Sequence, residues 1–455
     1  MVDFIEVMRR SENGPYIDER DFDIELVFKT GRDLAKRYGL SYDRKQLITL
    51  KPEIADLAFR AGLELAEKTG IYCVTTSRLI KFSREELLQG LKAAPQELNV
   101  GWGKDQRILR ASHWDARCRP FIWGGFSGAP LSEEAYRQSI RSYIKEPLVD
   151  ALGHGSLPFI DGMEVRSGSP MEVRATRQEL LYVREALLRE GRPGMPYVAA
   201  ESSTTVLGDI AVMNRDFMPP GNFHFIPTLN ELKIDYTNLT KVMAGYEYGV
   251  YNINLVDVII GGYAGGPEGA ALVTIAAFIL GQLVCRASVS LCHPAHNKWV
   301  STSPPESIWV ENLVGQAFSR NSPIIVIGDV WTSAGTGTRD VFDEITAITV
   351  TKTLTGNHPH GVCPTNGKFP NGSGLDVRCM ADVALATYSQ KLSLEQGNEI
   401  VCALVDKYEK KFANPDLGKP YHEVYDVDTA LPKAWWLETY EDAKADYERE
   451  FGLNL

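Results

Sequence analysis

The stretch VDVIIGGYAGGPEGAALVTIAAFILGQLVCRASVSLCH (256–293) decides the fold class. A short apolar run turns through glycines, enters a long apolar segment behind Pro267 and closes on a second short apolar run. That order is strand, helix, strand. Proline suits the first turn of a helix, where its missing N–H has no partner to lose, and Glu268 beside it complements the helix N-terminus. The runs at 256–263 and 286–293 are nearly continuous in apolar residues, as expected for parallel strands buried on both faces.

The same alternation recurs on either side. PFIWGG (120–125), LPFIDG (157–162), MPYVAAE (195–201), VMAGYEYG (242–249) and PIIVIGD (323–329) read as further strands, with a weaker eighth at TLTGNHPHGV (353–362). Helical patterns at 133–152, 170–190, 267–281 and 339–352 lie between them. Seven or eight such units predict a (β/α)8 TIM barrel over residues 118–405. Residues 1–117 read as a helical N-terminal extension packed on the barrel, with helices at 21–38 and 52–69. A capping box of Ser83 and Glu86 opens a third. Residues 406–455 form a C-terminal helical segment, whose last helix carries Tyr440, Ala443 and Tyr447 on one face.

Composition excludes several classes. The chain has 455 residues, 44% hydrophobic and 24% charged, with a net charge of −11, so it can bury a large core and is a poor nonspecific nucleic-acid binder. Its seven cysteines, odd in number and loosely spaced, predict reduced thiols and a cytoplasmic setting. The N-terminus shows no apolar signal region. The apolar stretch 269–285 reads as a buried barrel helix rather than a membrane span. No glycine-rich dinucleotide fingerprint or P-loop is present.

In a barrel the active site lies at the C-terminal ends of the strands. The residues there are Trp123, Asp161, Glu201, Glu247, Tyr263, His293, Asp329 with Trp331, and His358 with His360. No lysine is among them, which argues against a Schiff-base enzyme. Cys292, His293 and His296 are of metal-ligating types. Adjacent strand residues point to opposite faces, however, so the expectation is no metal and a substrate-facing His293. His358 and His360 have no carboxylate near them in sequence and read as a loop. Glu201 is either a proton acceptor or cation anchor, or a capping partner for the hydroxyl run at 202–205. Trp331 beside Asp329 reads as half of an aromatic cage with a counter-charge, or as rim packing. The GGYAGG segment (261–266) is a tight loop or a place of close approach for a partner.

Six segments then carry a resemblance. EKTGIYCVTTSRLIKFSREEL (67–87), GGFSGAPLS (124–132), EGRPGM (190–195), TLNELKID (228–235), GGYAGG (261–266) and HNKW (296–299) together resemble the monomethylamine methyltransferases of methylotrophic methanogens. The resemblance implies a TIM barrel that moves a methyl group from a methylated amine to the Co(I) of a separate corrinoid protein, working as a homo-oligomer. This chain has no D-x-H-x-x-G signature, so the corrinoid is expected on the partner and no cofactor on the chain itself. The family carries pyrrolysine three residues before a strand-end glutamate. Here Glu201 is kept and Val198 stands at the pyrrolysine position. A second family glutamate falls on Leu255, and the family's glutamine and tyrosine after the seventh strand fall on Asp329 and Trp331.

The expected site therefore has Glu201 and Asp329 as catalytic groups, with Trp331, Tyr263, Val198, Leu255, Trp123 and His293 around the donor. Valine cannot form an amine adduct, and a quaternary ammonium needs none, so a methylated or quaternary amine donor is favoured. A methoxy or methylthio donor would use a protonated carboxylate or a histidine to assist departure. The rival expectations are a metal-assisted lyase or hydrolase using His293, His296 and Asp329, and a non-catalytic homologue that binds a corrinoid protein.

Overall fold

Eight parallel strands pair in a ring: β1 (Trp123–Gly124), β2 (Ala151–Leu152), β3 (Val198–Ala199), β4 (Phe223–Thr228), β5 (Tyr251–Val256), β6 (Val289–Cys292), β7 (Val326–Trp331) and β8 (His358–Cys363). The hydrogen-bonded order is β2-β1-β8-β7-β6-β5-β4-β3. A bridge between Leu152 and Tyr197 joins the two ends, with the Leu152 N–H donating to the Pro196 carbonyl at 2.9 Å. The computed structural model describes residues 2–369 and 371–455.

One helix follows each strand: α1 (Glu133–Lys145), α2 (Pro170–Arg189), α3 (Val206–Val212), α4 (Tyr236–Tyr248), α5 (Pro267–Val284), α6 (Pro305–Asn321), α7 (Arg339–Thr355) and α8 (Gly374–Ser389). This is the expected (β/α)8 barrel. Helix α5 is apolar and long enough by composition to cross a membrane, yet 89% of it is buried in the fold. Its outer side packs against the helix Pro52–Thr69, where Gly62 admits the Ile275 side chain at a distance no Cβ would allow.

Three strand expectations are corrected. LPFIDG is not a barrel strand: Phe159–Ile160 and Met163–Glu164 form an outlying hairpin, and the second barrel strand is Ala151–Leu152. Asp161 and Gly162 supply the positive φ values, 50° and 77°, that a tight Asp-Gly hairpin turn requires. VMAGYEYG is the end of α4. Asp235 caps that helix by accepting from the Asn238 N–H at 2.7 Å, and Gly249 closes it in the left-handed conformation. The fourth strand is instead FHFIPT, and the fifth ends at Val256. Beyond it, Ile259–Ile260 pairs with Ala295–His296 above the barrel rim.

The segments flanking the barrel are mostly helical. Two antiparallel hairpins, Ile71–Cys73 with Arg78–Ile80 and Glu97–Val100 with Arg107–Arg110, interrupt the N-terminal helices. The boundary expected at 405 falls inside the helix Leu394–Tyr408, which packs on α7. The last helix, Ala434–Phe451, buries Trp436, Tyr440, Ala443 and Tyr447, with Trp436 stacked on Phe342 at 4.6 Å. All seven cysteines are free.

Candidate active site

Strand periodicity decides which side chains enter the barrel. On β7, Gly328 faces the α7 residue Lys352 outside the wall, so Asp329 and Trp331 point inward. The same alternation turns His358 and His360 inward on β8, Leu291 and His293 inward on and after β6, and Leu255 and Asp257 inward on and after β5. The pairing of β7 with β8 slips between Asp329 and Val330, with Gly361 as the extra residue at φ 48°. That bulge sets Asp329 opposite His360 and Trp331 opposite Cys363.

These side chains border a cavity of about 570 Å3 at the C-terminal end of the barrel. Its walls are largely apolar, with Phe225, Pro227, Leu255, Leu291 and Trp331 among them, and the acids Glu201, Asp209, Asp257 and Asp329 open on it. Lys241 and His293 are the cationic or ionisable bases on the same lining, and Lys241 is already engaged by Asp209 at 3.1 Å.

Asp329 is the hub. One carboxylate oxygen accepts from Ser127 Oγ at 2.5 Å and from His360 Nδ1 at 2.6 Å; the other accepts from His293 Nδ1 at 2.7 Å. Burial alone would raise its pKa, but the hydrogen bonds from His293 and His360 outweigh it and hold the carboxyl well below its usual range. His293 is raised in turn: burial disfavours its charge, and the nearby Asp257 and Asp329 carboxylates more than offset that. The His293 ring meets Trp331 edge to face, with centroids 4.7 Å apart. With Nδ1 committed to Asp329, Nε2 is the nitrogen left for the cavity. Gly153 makes room for the other histidine, since a Cβ there would sit 2.5 Å from His360 Nε2.

Glu201 follows Ala200, whose φ of 64° is rare for a residue with a side chain. The turn drives the Glu201 side chain into the wall, where it is 1% exposed. Neither carboxylate oxygen meets a hydrogen-bond donor at bonding geometry, although the Gly128 and His154 amides lie near. Burial, with Glu179 and Asp329 adding, pushes this carboxyl well above its usual range. Behind it, His154 is driven down to about 4 by burial and Glu179 up to about 8 for the same reason.

The sequence profile of the family described as Monomethylamine methyltransferase MtmB matches residues 2–453. The chain belongs to the monomethylamine methyltransferase family. The relative MtmB1 of Methanosarcina barkeri is 30% identical over 448 residues, covering 98% of this chain and 96% of its own, and MtmB of Methanosarcina mazei agrees to the same extent. The crystal structure of the Methanosarcina barkeri monomethylamine methyltransferase superposes with a TM-score of 0.95 at 28% identity, covering 100% of this chain and 99% of that one. A structure of an MtmB complex with hydroxylamine superposes equally well.

Against this family frame, Glu201, Leu255, His293, Asp329 and Trp331 border one cavity. Trp123, Val198 and Tyr263 do not. Trp123 and Val198 are fully buried in the barrel interior, Trp123 with its ring 4.8 Å from Phe223 and 5.2 Å from His360. Tyr263 stands half exposed on the rim, 5.8 Å from Lys233 Nζ, because the strand that was to deliver it ends seven residues earlier. Asp161 and Glu247 are exposed, on the hairpin and on α4.

His358 and His360 lie on a strand, not a loop. His358 is a structural residue below the cavity, accepting from the Phe121 N–H and donating to the Arg110 carbonyl. Cys292 faces outward into an apolar cluster that also holds Ile275 and Val310, and His296 stacks on Trp299 at the rim. Among the described residues, no three His, Cys, Asp or Glu side chains are placed to share a metal ion. Sequence reading missed Asp257 and Ser127 as site residues. The signal for Asp257 was its spacing two residues after Leu255; Ser127 lay inside the GGFSGAPLS motif itself.

Proposed function

We propose that the chain is a methyltransferase that moves a methyl group from a small methylated ammonium compound, a quaternary amine by preference, to the Co(I) of a separate corrinoid protein. Family membership supports the reaction class, and the cavity supports the donor class. The carrying observation is the lining itself: apolar walls, the aromatic Trp331, and acids in excess over bases. Burial raises the Asp257 carboxyl and a charged His293 opposes that rise, so Asp257, His293 and Asp329 together set two carboxyl groups against one imidazole. A desolvated organic cation is attracted by such a surface more strongly than in bulk water.

The corrinoid, held by its own carrier, would supply the nucleophile. The chain's part is to bind the donor, align its methyl carbon with the barrel mouth and exclude water. A quaternary ammonium leaves as a neutral tertiary amine and needs no covalent activation. This matches Val198, whose short apolar side chain ends in the barrel interior. Asp257 rather than Glu201 supplies the counter-charge in this reading, since burial, with Glu179 and Asp329 adding, pushes the Glu201 carboxyl well above its usual range.

A second reading, a methoxy or methylthio donor, draws on the same neutral Glu201 carboxyl and on His293 as proton donors toward a poor leaving group. A panel of methylated compounds incubated with the chain and a reduced corrinoid protein separates the two. Quaternary amines are expected to convert the Co(I) absorbance to that of methyl-Co(III), while monomethylamine gives no useful rate. Turnover of monomethylamine as well as of the best donor would refute the reading, and activity confined to methoxy compounds would favour the second.

A further inference from the structure

His293 occupies an unusual position for a group inside a cation-binding cavity. Its Nδ1 is fixed on Asp329 Oδ2 at 2.7 Å, and its ring edge is set on Trp331 at 4.7 Å between centroids. His293 lines the cavity together with Asp257, and its second nitrogen, Nε2, has no hydrogen-bond partner among the described residues. When Nε2 carries a proton, the imidazolium takes the place an organic cation needs: it lies against the tryptophan and neutralises the carboxylates. When Nε2 loses that proton, the ring still donates from Nδ1 to Asp329 but turns a lone pair toward the cavity.

Charged groups face the ring from several walls, and Glu201, Asp209 and Lys241 line the same cavity. Asp257 follows β5, Asp329 lies on β7 and His360 on β8 shares the Asp329 carboxylate. Outside the wall, Glu311 on α6 is ion-paired with Lys352 on α7. The Asp257 and Asp329 carboxylates, and more distantly Glu311, favour the charged ring, against its burial.

We propose that the donor cation and the Nε2 proton of His293 compete for one counter-charge, the carboxylates of Asp257 and Asp329, so that binding of the donor expels a proton from His293 to solvent. His293 thereby acts as a specificity residue, since only a cation displaces the proton; a neutral methyl compound of similar shape binds without proton release. The inference rests on the cationic-donor reading above.

Calorimetry with tetramethylammonium as the probe, in two buffers of different ionisation enthalpy, tests it on the unmodified chain. Binding is expected to release close to one proton at pH values below the His293 titration and none above it. Affinity should rise about tenfold per pH unit until it levels off. In His293→Gln, which keeps a donor for Asp329 but cannot charge, affinity should not depend on pH. An affinity equal at about pH 5 and about pH 8, without proton release from the unmodified chain, overturns the proposal. So does a pH dependence that persists in His293→Gln, which would assign the proton to Asp257. Failure of the underlying reading looks different: neither tetramethylammonium nor another methylated cation binds at any pH, while a neutral methoxy compound does.

Discussion

His293 Nδ1 donates to Asp329 Oδ2 at 2.7 Å across a sequence separation of 36 residues, joining the end of one strand to the middle of the next. The contact sets the tautomer of the histidine, fixes its ring and keeps the carboxylate ionised. Because His360 binds the other carboxylate oxygen, the three side chains behave as one unit.

Asp329→Asn removes the charge and keeps the shape. The His293 pKa is expected to fall, because the ring loses an adjacent opposite charge, and NMR titration of the ring reads it directly. If charge-assisted hydrogen bonds of roughly 1.5–3 kcal/mol hold the ring in place, kcat/KM for methyl transfer should drop about 10- to 100-fold. An unchanged titration would show that Asp257 alone governs His293.

Trp331→Ala takes away the aromatic wall. A cation–π contribution of roughly 0.5–2 kcal/mol corresponds to a rise in half-saturating donor concentration of about 3- to 30-fold for a quaternary amine. A neutral donor should lose less, so the ratio between the two donors is the informative quantity in steady-state kinetics.

Asp257→Asn and Glu201→Gln should part company. Asp257 lines the cavity beside His293, and its neutral replacement is expected to weaken a cationic donor by at least about tenfold, as the loss of a partly desolvated charge partner does. Burial favours the neutral form of Glu201, so its amide variant should leave donor affinity within about threefold at neutral pH. Equilibrium titrations with each variant check this, and a large effect at Glu201 alone would reverse the roles.

Glu179→Gln is expected to stabilise the fold at high pH. A carboxyl raised from 4.5 to about 8 favours folding while protonated; that contribution is complete below the unfolded value and is lost as pH rises through the folded one. Glutamine keeps the acceptor for the Ser202 N–H, which Glu179 now binds at 2.8 Å, and never charges. Urea midpoints should coincide near pH 4 and favour the variant by about 1–3 kcal/mol near pH 9.

Much of the architecture is legible in the sequence. Proline and glutamate at the start of α5, the apolar runs of β6 and β7, and the capping box at Ser83 are local signals, and all lie where the sequence reading put them. The failures were local as well. An Asp-Gly turn at 161–162 was absorbed into a strand, and a helix bounded by Asp235 and Gly249 was read as one, because a short apolar run carries no helix or strand period of its own.

By itself, the sequence determined the barrel, the family and the inward-facing positions on β7, since strand alternation and helix caps depend only on neighbours along the chain. Tertiary structure alone decided the site. It brought Ser127, His293 and His360 to the one carboxylate of Asp329, admitted Asp257, left Tyr263 on the rim and placed Trp123 and Val198 in the core. It also buried the Glu201 side chain, which pushes that carboxyl well above its usual range. Charge states depend on burial and on groups distant in sequence, and those are created only when the ends of eight strands converge.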